Sequence, residues 1–407
     1  MARLVMKFGG TSVGDPERIR NVADYVARCV RRGDEIVLVV SAMGKETDEL
    51  LRLAGDVSDT RPGREMDMLI TAGERKAIAL VCMALVDQGI EAESYTGSQA
   101  GFVTDNNHTD AKILEVRPER IAAALDAGRV AVVAGAQGVS GEHDVTFLGR
   151  GGSDTTAVAL AKALDAEACE LYTDVPGVFT TDPRVVPDAR KMSSISFDEL
   201  LEMTATGCPK PAMRSVEYAR RHGVPLHVRS AFTWETGTTV MEEEPGMEHA
   251  TVRAITHDLS EAKVTVAGVP DRPGVAARLF RVLADTGVNV DMIVQNASEQ
   301  GYTDISFTVP HDDLTRSLDA VRGVGDELGI RDVAADPKVA RVSVIGAGMK
   351  TNPGIAATMF ETLAEAGINI GMISTSAIRI SCVVDQDDAE RAVAALHGVY
   401  ELDRSEY

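Results

Sequence analysis

An internal repeat of about 80 residues most narrowly limits what the C-terminal part of this 407-residue chain can fold into. The stretch from Pro273-Gly274 to Asn289 recurs from Pro353-Gly354 to Asn369, an offset of 353 − 273 = 80 residues. Pro, Gly, Ala, Phe, Leu, Asn, Met and Ile recur at this constant offset, which chance seldom produces. Each copy has the pattern of a strand, a Pro-Gly turn, a helix and a second strand, so we expect two small α+β domains in tandem.

The Pro-Gly turns predict a helix start in each copy. A helix start leaves backbone N–H groups unpaired, and a small carboxylate can bind to them. For a single such sequence, a turn without a ligand is the more common explanation. Two copies favour paired small-molecule sensors.

The first 240 residues or so alternate short β-branched runs with amphipathic stretches rich in Ala and Leu. The predicted buried strands are Ile36 to Val40, Ala131 to Ala134, Glu170 to Thr173 and Leu226 to Val228. The predicted helices are Pro16 to Arg31, Arg75 to Gln88, Asp154 to Leu164 and Ala212 to His222. This alternation indicates an α/β fold with a mostly parallel sheet and helices on both faces, in which ligands bind beyond the C-terminal ends of the strands.

An acidic, turn-rich stretch from Glu242 to Gly246 separates the two patterns. We therefore predict an α/β domain over residues 1–245, a linker with the first repeat domain over 246–337, and the second repeat domain over 338–407.

Charge and composition limit the partners of the chain. It has 41 basic and 62 acidic residues, a net charge of −21 and no Lys/Arg-rich run, which argues against nucleic acid and anionic membranes. The five cysteines lack CxxC spacing and no signal peptide precedes the first strand, so we expect a reducing, cytoplasmic location. The eight histidines lack ligand spacing, so we predict no metal site built by the protein.

The segment from Lys7 to Ser12 follows the first predicted strand. Gly9 and Gly10 allow backbone amides to approach a phosphate closely, and the Lys7 ammonium can neutralise charge that builds up on it. A tight strand-to-helix turn is the alternative. The GxxxxGK[ST] pattern is absent from the sequence, which disfavours P-loop chemistry.

The segment from Gly149 to Thr156 is the stronger signal. Three glycines surround Arg150, and a Ser-Asp-Thr-Thr sequence then begins a helix. This arrangement favours an anion site beside a guanidinium that can hold a carboxylate through two hydrogen bonds. Ser153 or Asp154 could instead act only as the helix N-cap.

Three further polar segments lie at predicted strand ends or helix starts. They are Val40 to Gly44 with Thr47 beyond it, Thr71 to Arg75, and Tyr172 to Arg184. Each alone is more typical of a turn or cap, but together they predict the rim of an active site along one sheet edge.

In this order, with Gly97 to Gly101 and the paired Pro-Gly repeats, these segments closely resemble the aspartate kinase family over essentially the whole chain. The resemblance implies the amino acid kinase fold followed by two ferredoxin-like ACT domains. It also implies ATP-dependent phosphorylation of the side-chain carboxylate of L-aspartate to 4-phospho-L-aspartate, the first step toward lysine, threonine and methionine, with Mg²⁺ carried by the nucleotide.

The resemblance further implies a role for each matching residue. Lys7 and Asp154 are the implied catalytic residues, with Asp154 orienting Lys7. Substrate would be bound by Ser41, Thr47, Glu74, Arg150 and Ser153, with Arg150 on the α-carboxylate and Glu74 on the α-ammonium. The nucleotide would contact Lys7, Gly9, Gly10, Thr173, Asp174, Asp182, Arg184 and Lys210.

The repeat domains are implied to bind effector amino acids, lysine and threonine, and to pair into a homodimer or higher oligomer. The implied effector residues are Asp271, Gly274, Ala276, Asn289, Asp291, Gln295, Met349, Thr351, Asn369, Ile370 and Ser381, with Cys382 beside the last.

The sequence departs from the family pattern in its catalytic part. Ala136 replaces a usual Phe, which would enlarge the acceptor pocket, and Lys76-Ala77 replaces a stretch that usually carries Ser. Pro209 occupies the usual Lys position, and Lys210 follows it between two prolines that remove backbone donors, so its reach to the nucleotide is in question.

The second repeat also departs, because Gly371 and Ala377 replace usual acidic residues. We therefore predict weakened or altered feedback inhibition. The alternatives to a primary aspartate kinase are a pathway-dedicated paralogue with another phosphoacceptor and a non-catalytic amino acid sensor. Met247 stands where some relatives restart translation to make a separate regulatory subunit.

Overall fold

The structure is a computed structural model that describes residues 2–242, 252–296, 300–349, 352 and 354–404. Contacts among these residues divide them into two units. The first unit holds 2–178, 191–204 and 209–242, and the second holds 179–190, 205–208 and the residues from 252 onward. The segments 179–190 and 205–208 thus cluster with the second unit, whereas the sequence expectation places all of 1–245 in one domain. The predicted break between residues 245 and 246, together with Met247 and Thr351, lies outside the described residues.

The first unit contains two sheets and the helices around them. Its strands are β1 (Arg3–Phe8), β2 (Glu35–Val40), β3 (Ala92–Tyr95), β4 (Phe102–Thr104), β5 (Ile113–Val116), β6 (Val130–Ala134), β7 (Gln137–Ser140), β8 (Val145–Phe147), β9 (Ala168–Thr173), β10 (Ser194–Ser196), β11 (Leu226–Ser230) and β12 (Thr238–Met241). Its helices are α1 (Pro16–Arg31), α2 (Glu46–Val57), α3 (Gly63–Ile70), α4 (Ala72–Asp87), α5 (Glu119–Asp126), α6 (Gly152–Ala163), α7 (Phe197–Ala205) and α8 (Met213–His222).

The main sheet has the strand order β10-β12-β11-β9-β1-β2-β6-β3, and β4, β5, β7 and β8 form a smaller sheet. The pairs from β11 through β3 are all parallel, and β12 pairs antiparallel with β11. The predicted α/β class is confirmed, and each predicted strand and helix is present with ends within three residues of those expected. Buried strands flanked by helices explain the uninterrupted apolar runs of β2 and β6.

Alternation along β1 positions the site. Met6 and Phe8 lie in the apolar cluster that includes Ile19 and Val22 of α1. Successive side chains of a strand face opposite sides of the sheet, so Lys7, between them, points to the other face, where α6 packs against β1.

The second unit contains two four-stranded sheets. Its strands are β13 (Ala254–Asp258), β14 (Glu261–Pro270), β15 (Ile293–Gln295), β16 (Tyr302–Pro310), β17 (Asp332–Asp336), β18 (Val339–Ile345), β19 (Met372–Thr375) and β20 (Arg379–Asp385). Its helices are α9 (Val275–Asp285), α10 (Leu314–Gly323), α11 (Gly325–Leu328), α12 (Ile355–Glu365) and α13 (Ala389–Val399).

The two repeats form equivalent sheets, with orders β15-β16-β14-β17 and β19-β20-β18-β13. The fourth strand of the second sheet is β13, which precedes the first repeat and pairs antiparallel with β18 from Ala254–Ile345 to Asp258–Arg341. The residues expected to act as a linker therefore complete the second repeat domain. Both α9 and α12 begin after a glycine in the left-handed conformation, Gly274 and Gly354, as the Pro-Gly turns predict.

Candidate active site

The C-terminal ends of β1, β2 and β6 meet at one edge of the main sheet. The Ser41 N–H donates to the Phe8 carbonyl over 3.2 Å, and the Gly135 N–H donates to the Val40 carbonyl over 2.9 Å. The start of α6 reaches the same edge, where Ser41 Oγ lies 3.0 Å from Ser153 Oγ. Two predicted substrate residues, Ser41 and Ser153, are therefore in contact.

A buried ion pair links β1 to α6. Lys7 Nζ lies 2.6 Å from Asp154 Oδ1, and each side chain is 5% exposed. The other carboxylate oxygen accepts a hydrogen bond of 3.1 Å from the Ala212 N–H. Burial alone would raise the pKa of Asp154, but the charge and hydrogen bond of Lys7, the Ala212 N–H and the charge of Lys210 together lower it. Asp154 is thus held as a carboxylate, and segment 210–212 lies close enough to act on it.

Close backbone approaches at glycine fix this edge. A side-chain Cβ on Gly135 would lie 2.4 Å from Ser153 Oγ, and one on Gly10 would lie 2.7 Å from the Ala42 carbonyl oxygen. Atoms cannot approach this closely, so a larger residue at either position would push apart the strand ends that carry the site. At Gly9, a Cβ would lie 3.5 Å from Lys7 Nζ, so glycine leaves open the space beside the ammonium.

The loop before α6 presents Arg150. Gly149 and Gly151, on either side of it, have φ angles of 80° and 73°, a conformation that favours glycine. Gly151 is the N-cap of α6, and the side chains of Ser153 and Asp154 do not cap it. Arg150 is exposed, and the structure gives its guanidinium no hydrogen bond or ion pair within the described residues. The capping alternative is therefore wrong, and Arg150 is available to an anion.

Glu74 lies in the first turn of α4 and is buried. Burial raises the pKa of its carboxyl to about 7, against hydrogen bonds from the N–H groups of Glu74 and Ala42, and the charge of Glu46 adds to the increase. Its Oε2 is buried without a hydrogen-bond partner among the described residues. A buried acceptor without a partner destabilises the free protein, so this atom fits a ligand that brings a donor.

The predicted nucleotide residues fall in both units. Thr173 ends β9, next to β1 in the sheet, and its hydroxyl bonds the backbone of Val175, while Asp174 is exposed. Asp182 and Arg184 lie in the second unit and pair with each other, with Arg184 Nη2 2.6 Å from Asp182 Oδ2. Hydrogen bonds from Arg184 lower the pKa of Asp182.

Two residues that depart from the family pattern, Ala136 and Lys76, have defined contacts in the first unit. Ala136 is buried at a φ of 58°, where its N–H donates to Thr156 Oγ1 over 3.0 Å. Lys76 pairs with Glu46 in α2 at 2.6 Å. Thr47 follows Glu46 in the first turn of α2. Glu46 was missed by sequence reasoning, because only its contacts with α4 distinguish it from any other acidic residue at a helix start.

The predicted effector residues within the described part of the second unit lie in four places. The start of α9 holds Asp271, Gly274 and Ala276. The region around β15 holds Asn289, Asp291 and Gln295, and α12 is flanked by Met349, Asn369 and Ile370. Ser381 lies in β20, where its hydroxyl is 2.7 Å from Ser343 Oγ and fully buried, and Cys382 follows it, also buried. Ser381 therefore presents no free hydroxyl, and its partner inside the sheet could not be seen from the sequence.

Arg341, which sequence reasoning missed, engages one of these residues. Its guanidinium pairs with Asp291, lies 2.8 Å from Glu261 and 3.4 Å from Asp258, and donates to the Ala205 carbonyl over 2.8 Å. Arg341 is only 2% exposed. Aligned on Gly268 and Gly346, the two strand sequences place Lys263 at the position equivalent to Arg341. Arg341 of the second copy therefore pairs with acidic residues that are not its equivalents in the first copy.

Comparisons with known proteins agree with this architecture. The model of the amino acid kinase family matches residues 2–230, and an ACT domain model matches residues 263–323 and 342–400. The chain is 52% identical to the aspartokinase of Mycolicibacterium smegmatis and 50% identical to that of Corynebacterium glutamicum, in each case over 99% of this chain and 97% of the relative.

Solved structures of aspartate kinases are also similar to this chain. The structure of Escherichia coli aspartokinase III in complex with aspartate and ADP has a TM-score of 0.84 at 25% identity and covers 97% of this chain and 99% of that one. The aspartate kinase of Synechocystis, with a TM-score of 0.55 at 45% identity, covers 99% of this chain and 70% of that one. Within the described residues, no helix has the length and apolar character needed to cross a membrane. The chain belongs to the aspartokinases of the amino acid kinase family, with a C-terminal pair of ACT domains.

Proposed function

We propose that the chain transfers the γ-phosphoryl group of ATP to the side-chain carboxylate of L-aspartate, using the residues assembled at the edge of the main sheet. The bond between the γ-phosphorus and the β,γ-bridging oxygen breaks, a new bond joins the phosphorus to a carboxylate oxygen of aspartate, and ADP leaves. A carboxylate is already a nucleophile, so the reaction needs no general base and depends on positioning two anions and stabilising the transferring group.

The observation that carries the proposal is the buried pair of Lys7 and Asp154. Asp154 fixes the Lys7 ammonium beside the open space at Gly9, where the ammonium can donate to an oxygen of the transferring group. A preorganised cation in a buried site stabilises developing negative charge without reorganising.

Aspartate would be held by complementary charges. The unpaired guanidinium of Arg150 fits the α-carboxylate, and the unpartnered Oε2 of Glu74 fits the α-ammonium. Ser41 and Ser153, in contact with each other, would donate hydrogen bonds to the substrate, as would Thr47.

The nucleotide would be held by the amides of Gly9 and Gly10, by Thr173 and Asp174, and by Lys7 and Lys210. The charge of Lys210 lowers the pKa of Asp154, which supports a place for Lys210 near the phosphates despite the shift caused by Pro209. The described residues include no group of three or more His, Cys, Asp or Glu side chains that could hold a metal. As the resemblance implies, Mg²⁺ would be carried by the ATP phosphates and would neutralise their charge. Asp182 and Arg184 remain predicted nucleotide contacts.

A coupled assay of ADP release with ATP, Mg²⁺ and aspartate tests the proposal. We expect ADP release that depends on aspartate and that Asp154→Asn reduces at least about a hundredfold, because Lys7 then loses its fixed position. Binding of aspartate without ADP release would favour the amino acid sensor instead.

The alternative of another phosphoacceptor rests on Ala136, which stands where the family usually has Phe. A panel of carboxylic amino acids in the same assay tests it. Turnover of aspartate equal to or above that of every other acid would exclude this alternative.

We also propose a homodimer or larger assembly formed through the ACT domains. Ile293 in β15 and Ile373 in β19 are equivalent in the repeat, lie on edge strands of their sheets, and are 50% and 43% exposed. Exposed apolar residues on an unpaired edge strand favour association. Light scattering should give a mass above that of a monomer, and Ile293→Glu with Ile373→Glu should lower it. The cytoplasmic location stays a prediction.

A further inference from the structure

Glu46 is a carboxylate of the first unit that the resemblance assigns to no function. Its Oε1 lies 2.6 Å from Lys76 Nζ, and its side chain is 19% exposed. Its Oε2 is buried and has no hydrogen-bond partner among the described residues. Lys76 therefore fixes one carboxylate oxygen of Glu46, and the other oxygen can accept a hydrogen bond from a ligand.

Glu74 lies near Glu46, and its own Oε2 is also buried without a hydrogen-bond partner among the described residues. Glycine at position 73 lets the start of α4 approach Ala42, since a Cβ there would lie 2.8 Å from the Ala42 Cβ. The same Cβ would lie 3.6 Å from Glu46 Cδ, so Glu46 packs against the turn of α4 that carries Glu74. The Ala42 N–H donates to Glu74, and the charge of Glu46 raises the pKa of Glu74. Two carboxylates thus converge at the β2 end of the site, each with one unsatisfied oxygen.

We infer that Glu46 is a second ligand for the α-ammonium of aspartate, and that Lys76 is the positioning residue that holds Glu46 in place. The inference rests on the proposed function. An ammonium has three donors, so it can satisfy both free oxygens at once. The charges also balance, because two carboxylates, the Lys76 ammonium and the substrate ammonium sum to −2 + 1 + 1 = 0.

The arrangement explains why a lysine at position 76 accompanies a glutamate at position 46. Without Lys76, the uncompensated charge of Glu46 would raise the pKa of Glu74 further and favour its protonated form at neutral pH. Around Glu74 the structure places the charges of Glu46 in α2 and Lys76 in α4, and Arg75 follows Glu74 in the same helix. Lys76 therefore offsets part of the repulsion between the two carboxylates, and the substrate ammonium would offset the rest.

Steady-state kinetics of three variants test the inference, with the KM for aspartate and the KM for ATP measured from pH 5.5 to about 9. At high pH, Glu46→Gln should raise the KM for aspartate about tenfold and leave the KM for ATP within about twofold, as expected for loss of a hydrogen bond to a charged group. Lys76→Met should raise the KM for aspartate at neutral pH, and Lys76→Arg should have the wild-type KM for aspartate.

The pH profile separates positioning from general loss of structure. The midpoint of kcat/KM for aspartate should move to lower pH in Glu46→Gln, which removes a negative neighbour of Glu74. It should move to higher pH in Lys76→Met, which leaves that neighbour uncompensated. Arg52→Met, which breaks the exposed Arg52–Asp56 pair of the same helix α2, should change neither KM nor midpoint.

A KM for aspartate within twofold of the wild-type value in Glu46→Gln, or shifts of both midpoints in one direction, would overturn the inference. If the wild-type chain binds aspartate without turnover, the proposed function fails, and calorimetric binding of aspartate to the wild type and Glu46→Gln decides the inference. Absence of both turnover and binding overturns both.

Discussion

Lys7 Nζ lies 2.6 Å from Asp154 Oδ1 in a pair that is nearly closed to solvent, and this contact joins the chemistry of β1 to that of α6. The pair must remain ionised to act on a phosphoryl group, so its two members depend on each other. Loss of one partner leaves the other as an isolated buried charge, which is more costly than loss of both.

We therefore expect Lys7→Met to lower the free energy of unfolding by about 3–5 kcal/mol, because Asp154 is left buried without its counter-charge. The double variant Lys7→Met with Asp154→Asn should recover most of that loss, yet remain inactive. Urea unfolding of the four proteins in the cycle measures the coupling. A loss of stability in the double variant equal to the sum of the losses in the two single variants would show that the pair is not coupled.

The raised pKa of Glu74 predicts a dependence of stability on pH in the absence of substrate. The carboxyl keeps its proton to about pH 7 in the folded chain, against an ordinary value of 4.5. The stability from this group is complete below pH 4.5 and is lost as the pH rises to about 7, a change of about 3 kcal/mol.

Glu74→Gln removes this titration. We expect the variant to match the wild type in stability near pH 5 and to exceed it near pH 8, while its KM for aspartate rises because the ammonium loses a charged partner. Thermal unfolding at the two pH values, with kinetics at pH 8, provides the test. A stability difference that does not vary with pH would contradict the assignment of the shift to Glu74.

Local motifs explain which parts of the site could be predicted from the sequence. Lys7 with Gly9 and Gly10, and Arg150 between two glycines, carry their chemistry in neighbouring residues, so their spacing alone indicates an anion site. Alternation of strands and helices then predicts that these segments meet, because parallel strands bring their C-terminal ends to one edge.

Contacts between distant segments could not be predicted in the same way. Glu46 and Lys76 are 30 residues apart, and only the packing of α2 beside α4 brings them together. The strand β13 completes a sheet whose other members begin 81 residues after its own end, since 339 − 258 = 81. Arg341 is equivalent to Lys263 in the repeat, but a repeat gives no information on which positions face each other across it.

Lys210 provides a prediction for the nucleotide side. The charge of Lys210 lowers the pKa of Asp154, although Pro209 occupies the usual Lys position. We expect Lys210→Met to raise the KM for ATP about tenfold, as for the loss of one charge-assisted hydrogen bond to a phosphate, with little change in the KM for aspartate. Lys112→Met, at an exposed lysine of the same unit, is the matched control. An unchanged KM for ATP in Lys210→Met would place Lys210 outside the nucleotide site.

Feedback inhibition provides the last prediction. A cationic effector such as lysine needs a carboxylate partner, but Asp291 is already paired with Arg341, and its equivalent in the second copy, at 291 + 80, is Gly371. We therefore expect lysine and threonine together, at millimolar concentration, to leave most of the activity intact. A Cβ on Gly371 would lie 3.5 Å from the Val383 carbonyl oxygen and 3.8 Å from Lys263 Nζ, which are ordinary contact distances.

Gly371→Glu should accordingly fold with a free energy of unfolding within about 0.5 kcal/mol of the wild type, since it meets no steric conflict. The added carboxylate would lie near Lys263, as Asp291 lies near Arg341, so Gly371→Glu alone should leave inhibition by lysine weak. Gly371→Glu with Lys263→Met should strengthen it, because the carboxylate then has no partner at this position. Inhibition curves for the wild type and both variants, with urea unfolding as the check on folding, measure the effect. Strong inhibition of the wild type by the two amino acids would show that Gly371 does not limit feedback, since the acidic partner would then be supplied from elsewhere in the assembly.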